Sequence, residues 1–132
     1  LRVGAPGSHT DTASTGKGYT VGIGLNGQLN KEGYNIYGER RTSTASGRMF
    51  EDVVLCGHDE ICSQIKKAHK MLSRFGIISW DFAVDENSEP ILIEYNLNYP
   101  DVMIYQMNNG PLFGDLTQTI LEDVREKLKK ER

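Results

Sequence analysis

The chain has 132 residues, a mass of 14.8 kDa and a formal net charge of −3, with 38% hydrophobic and 25% charged residues. That is enough apolar material for one globular domain with its own core. No apolar run approaches the roughly 18 residues of a membrane helix, and the acidic balance lacks the basic excess of a general nucleic-acid binder.

Residues 1–19, LRVGAPGSHTDTASTGKGY, read as a short strand followed by a Gly-, Ser- and Thr-rich loop. Such a loop is either plain surface or a place where backbone amides approach a phosphate or carboxylate. The chain opens on Leu1 rather than Met, so the reading expects a piece of a longer protein. Residues 19–36 predict a hairpin: TVGIGL alternates, and Asn26-Gly27 is the favoured type I′ turn pair. Residues 37–54 carry few aliphatics and predict another loop. Its Arg40, Arg41 and Arg48 make either a solvated basic patch or an anion site.

A helix is predicted over His58–Phe75, where Ile61, Ile65, Ala68, Leu72 and Phe75 form one stripe. Asp59 and Glu60 open it, Lys66, Lys67, Lys70 and Arg74 follow, and Gly76 is a stop signal. His9, His58 and His69 are too scattered for a metal site. Cys56 and Cys62 are too few for a disulfide framework or a four-ligand zinc site, which suits a reducing cytoplasm. QMNNGPLFG, with Tyr105 just before it, predicts a loop that either merely leads onward or touches substrate. A last helix runs over Asp115–Lys130 on the stripe Leu116, Ile120, Leu121, Val124 and Leu128.

The stretch between the helices, residues 76–100, carries the chemistry. Ile77–Val84 and Ile91–Asn96 are β-rich runs around a polar turn. Alternation puts Ile78, Trp80, Phe82 and Val84 on one face and Ser79, Asp81 and Ala83 on the other. On the second run Ile91, Ile93 and Tyr95 share a face, and Leu92, Glu94 and Asn96 share the other. Pairing Asp85 with Pro90 sets Asp81 opposite Glu94 and Ser79 opposite Asn96. Facing carboxylates repel. A raised carboxyl pKa, a nearby Arg or Lys, or a divalent cation would relieve them. Two carboxylates and an amide oxygen suit Mg²⁺, which takes few protein ligands and completes its shell with water and phosphate. The alternative is an ordinary wet face, with Asn96 merely ending the strand.

These residues resemble the magnesium-binding hairpin of the ATP-grasp superfamily: Trp80-Asp81-Phe82, the turn Asp85–Pro90, then Ile91-Leu92-Ile93-Glu94-Tyr95-Asn96. The Asp81–Glu94–Asn96 spacing is similar to that of D-alanine–D-alanine ligases. The wider pattern resembles the sugar-transfer-associated ATP-grasp family of polysaccharide-biosynthesis proteins, through LRVGAPGS, KKAHKMLSRFG, IISWDFAVDENSEPILIEYN and QMNNGPLFGDLT.

The resemblance implies an α+β fold, an antiparallel sheet with helices packed on one face, their stripes burying Ile78, Trp80, Phe82 and Val84. It implies one subdomain over residues 1–132, with the lobe holding the adenine pocket preceding Leu1. Asp81, Glu94 and Asn96 would hold Mg²⁺ against the phosphates of ATP, and Arg2 would offer charge to a phosphate or acyl phosphate. Ser14, Thr15 and Gly16 lie in Asp11–Gly18, which resembles the substrate-side loop of related ligases such as glutathione synthetases. Asp11-Thr12 stands where an Asn is usual there. Relatives continue past the Asn96 position with Pro-Gly, whereas this chain has Leu97-Asn98-Tyr99-Pro100-Asp101. The implied activity is activation of a small-molecule carboxylate as an acyl phosphate, for attack by an amine or similar nucleophile, in the cytoplasm. A degenerate, non-catalytic ATP-grasp module and a metal-dependent phosphoester hydrolase are the competing readings.

Overall fold

Two antiparallel sheets and three helices build the computed structural model, which describes residues 1–8, 16–98 and 101–130. The first sheet has the order β1 (Arg2–Val3), β2 (Tyr19–Ile23), β3 (Leu29–Tyr34), β4 (Arg40–Arg41). The β2–β3 hairpin forms where Asn26-Gly27 calls for one, but its turn is not type I′. That type needs positive φ at both central residues, and Asn26 does not adopt it. Instead Gly27 alone takes φ 82°, the Gly27 amide donates to the Gly24 carbonyl at 3.0 Å, and Asn26 Oδ1 accepts from the Gln28 amide at 3.1 Å. This is the longer loop that places glycine in the left-handed position. A Cβ on Gly27 would press on Leu55 O and on the Cβ of His58 at about 3 Å.

The fully buried core lies on this sheet, not on the second hairpin as the stripes suggested. Val21, Leu29 and Phe50 form it, with Val3, Ile23 and Val53 packed around them. Phe50 is 0% exposed. It comes from a 3₁₀ turn, Phe50–Asp52, inside the stretch read as loop. In the same stretch Arg40 pairs with Glu32 at 3.3 Å, and the Arg41 guanidinium sits 4.6 Å over the Tyr19 ring.

Helix α1 (His58–Met71) stops four residues before the predicted Phe75. The His69 ring explains the end: its Nε2–H donates to the Phe75 carbonyl at 2.8 Å, folding the chain back in tight turns. The same ring lies 6.4 Å from that of Trp80, which in turn lies 5.5 Å from Tyr95. Gly57, at φ 69°, opens α1 and passes close to the Ser88 carbonyl in the hairpin turn.

The second sheet is β5 (Ser79–Val84) with β6 (Pro90–Asn96). Helix α2 (Val102–Asn109) stands where a loop was expected. Asp101 starts it, its Oδ1 accepting from the Met103 amide at 3.0 Å. A 3₁₀ turn, Gly114–Leu116, leads into α3 (Thr117–Lys130). Here the predicted packing fails. Leu116, Leu121, Val124 and Leu128 are exposed, Leu128 at 57%, and of Ile78, Trp80, Phe82 and Val84 only Ile78 is buried. The α+β class holds, with two sheets instead of one. Among the described residues no helix is long and apolar enough to cross a membrane.

Candidate functional site

The β5–β6 ladder does not run as a regular hairpin. Val84 pairs with Pro90, so the turn is Asp85–Glu89, one residue longer than the pairing of Asp85 with Pro90 assumes. Asp85 organises it, its Oδ1 accepting from the Asn87 and Glu89 amides at 2.9 and 2.8 Å, while Ser88 takes φ 67°. Phe82 then faces Leu92, and the register shifts before Asp81, leaving Ile93 opposite no residue. This β-bulge restores the predicted pairs: Asp81 faces Glu94, and Ser79 faces Asn96.

The bulge also corrects the faces. Leu92 shares the Phe82, Trp80 and Tyr95 face rather than that of Glu94 and Asn96, and Ile91, opposite Ala83, joins the polar side.

Four side chains of that polar face meet partners. Asn96 Nδ2 donates to Glu94 Oε1 at 3.4 Å. Arg2, from β1 of the other sheet, reaches Asp81, with Nη2 3.2 Å from Oδ2 and 3.5 Å from Oδ1. Ser79 Oγ lies 2.9 Å from the Tyr105 hydroxyl of α2. Helix α2 is itself held on the first sheet: Asn108 Nδ2 donates to Thr20 Oγ1 at 2.8 Å, and Asn30 Nδ2 donates to the Asn108 carbonyl at 2.7 Å. The polar face is thus tied to the first sheet twice, through Arg2 and through Tyr105.

Charge decides what the face can hold. Asp81 and Glu94 bring two negative charges, and Arg2 offsets one. The Arg2 side chain is 52% exposed and meets Asp81 through one nitrogen rather than a two-nitrogen fork. Exposed pairs of this kind contribute about 0–1 kcal/mol. The guanidinium is therefore a partly exposed counter-ion to Asp81, and among the described residues the Asn96 amide stands beside Glu94.

Of the other predicted residues, Gly16, ahead of β2, packs against the β3–β4 turn. Its carbonyl accepts from Asn35 Nδ2 at 3.0 Å, it takes φ 73°, and a Cβ there would strike the Tyr37 ring. Ser14 and Thr15 lie outside the described residues. Sequence reasoning missed α2 as the element that brings Tyr105 to Ser79; Asp101, a capping residue just ahead of Val102, was the available signal. Among the described residues no three His, Cys, Asp or Glu side chains gather as a metal centre, so a cation here would rest on two acids and the Asn96 amide.

No curated protein and no solved structure matches the chain. The family described as sugar-transfer associated ATP-grasp matches it over residues 1–121, a span that holds both sheets, α1, α2 and the bulged acidic hairpin. The chain belongs to the sugar-transfer-associated ATP-grasp family.

Proposed function

We propose that the chain is the catalytic lobe of an ATP- and Mg²⁺-dependent carboxylate ligase. It would activate a small-molecule carboxylate as an acyl phosphate for attack by an amine or similar nucleophile, in polysaccharide biosynthesis in the cytoplasm. Family membership supports the coarser part of this reading, an ATP-grasp ligase or a related activity. The observation that carries the finer part is the opposition of Asp81 and Glu94, with Asn96 on the same face.

The donor set fits Mg²⁺: hard oxygens, few in number, leaving room for water and phosphate. Asp81, Glu94 and Asn96 would hold the ion. When bound with ATP it supplies charge neutralisation at the phosphates and orients them for transfer. Asp81 and Glu94 fix the site from two hydrogen-bonded strands, which limits their freedom before any ligand arrives. Asn96 contributes an amide without adding a third negative charge. Arg2, paired with Asp81, would turn its guanidinium to an anionic oxygen once a stronger cation takes over the carboxylate. Ser14, Thr15 and Gly16 are proposed to line the substrate side.

The Arg2–Asp81 pair favours a second reading, a degenerate module in which the guanidinium replaces the metal. Thermal unfolding with Mg²⁺ and ATP separates the two. The ligase reading expects stabilisation of about 2.7 kcal/mol at a hundredfold excess over Kd, abolished by Asp81→Asn. No shift in the unsubstituted full-length protein overturns it in favour of the degenerate module.

A further inference from the structure

The ligase reading leaves one pair of groups on the polar face without a role. Ser79 stands across from Asn96 and two residues along from Asp81, which is about 7 Å of strand. The Tyr105 hydroxyl meets Ser79 Oγ at 2.9 Å. Two hydroxyls carry two protons and share one hydrogen bond. The second proton has no acceptor among the described residues, so this pair presents one free O–H beside the acids and the amide.

The phenol is the group built to use it. Tyr105 is carried on a helix whose far end is fixed by Asn108 on Thr20 and by Asn30 on the Asn108 carbonyl. Its backbone is thereby held beside the hairpin, and the Ser79 contact sets its hydroxyl toward the polar face. A Ser79 hydroxyl donating into the phenolic oxygen also polarises the phenol O–H and strengthens it as a donor. A neutral donor at this place suits an oxygen that is already charged. It would add no positive charge to compete with a cation for Asp81 and Glu94.

We propose that Tyr105 is a substrate-binding residue, its hydroxyl, set by Ser79, donating to a phosphate oxygen of the nucleotide held over Asp81, Glu94 and Asn96. Ser79 is a positioning residue that acts through Tyr105. The inference rests on the ligase reading, which supplies the nucleotide.

Calorimetric titration of the full chain with Mg²⁺ alone, Mg·ADP and Mg·ATP tests it, on the unsubstituted protein, Tyr105→Phe and Ser79→Ala. A hydrogen bond to a charged oxygen predicts that Tyr105→Phe weakens Mg·ATP binding about tenfold and leaves binding of Mg²⁺ alone unchanged. Ser79→Ala, which keeps the phenol, weakens Mg·ATP binding less. A loss confined to Mg·ATP sets the contact at the terminal phosphate; a loss shared with Mg·ADP sets it one phosphate further in; both support the proposal. Unchanged Mg·ATP binding in Tyr105→Phe overturns it. So does an equal loss for Mg²⁺ alone, because a hydroxyl that merely ties α2 to the hairpin disturbs the whole face. Failure of the ligase reading is distinguishable: the unsubstituted chain then binds no Mg·ATP, and the proposal falls with it.

Discussion

Asp81 stands directly across from Glu94 only because Ile93 stands across from nothing. With the Val84–Pro90 register continued unbroken, Asp81 would face Ile93, and the acidic pair would not exist. One unpaired residue replaces an Asp81–Ile93 pairing with two facing carboxylates. Bulges commonly re-aim side chains beside functional sites, and this one accounts for an otherwise unfavourable pairing of like charges.

The Arg2–Asp81 contact yields a prediction with opposite signs for two ligands. Arg2→Gln removes a cation that competes for the Asp81 carboxylate. Mg²⁺ alone then binds a fewfold tighter, while Mg·ATP binds more weakly because an anion-binding group is gone. Titration calorimetry on Arg2→Gln reads both.

The location of the core predicts which truncations matter. Phe50 is fully buried between β3 and its own 3₁₀ turn, so Phe50→Ala should cost about 3–5 kcal/mol in urea unfolding. Leu128, 57% exposed on α3, should shift stability by no more than roughly 0.5 kcal/mol as Leu128→Ala. Equal costs at the two positions would mean that α3 is packed in solution.

Tyr34 gives a pH signature. Its hydroxyl donates to Glu32 Oε2 at 3.0 Å. That hydrogen bond first, then burial and the Glu32 charge, hold the phenol above its ordinary value of 10.0, with Arg40 opposing. A phenol raised in the folded state contributes stability that is fully present below the unfolded value near 10 and is lost as pH rises through the folded one. Phenolate absorbance should show one tyrosine ionising late, and Glu32→Gln should bring it back toward the others. The same late ionisation in Glu32→Gln would contradict the assignment.

What the sequence made legible, and what it hid, follows from how local each signal is. The hairpin with Asp81, Glu94 and Asn96 could be read because alternation is local and its turn is polar. The bulge could not: Ile91-Leu92-Ile93 is a continuous apolar run, in which one extra residue leaves no break in the pattern. A four-residue turn without a bulge and a five-residue turn with one both pair Asp81 with Glu94, but they place Leu92 on opposite faces. Phe50 was hidden because a lone aromatic among polar residues has no period. Helix α2 was hidden because eight residues ending in Asn108-Asn109 show no clean stripe. The reach of Arg2 from the other sheet is a tertiary fact that no local window contains.

The central claim is that Asp81 and Glu94 act as one cation site. Mg²⁺ affinity measured for the unsubstituted chain, Asp81→Asn, Glu94→Gln and the double variant tests it most directly. The account predicts that either single change removes most of the affinity and that the double change adds little, because half a site cannot hold the ion. Two independent, additive losses, or Mg²⁺ binding untouched by both changes, would contradict it.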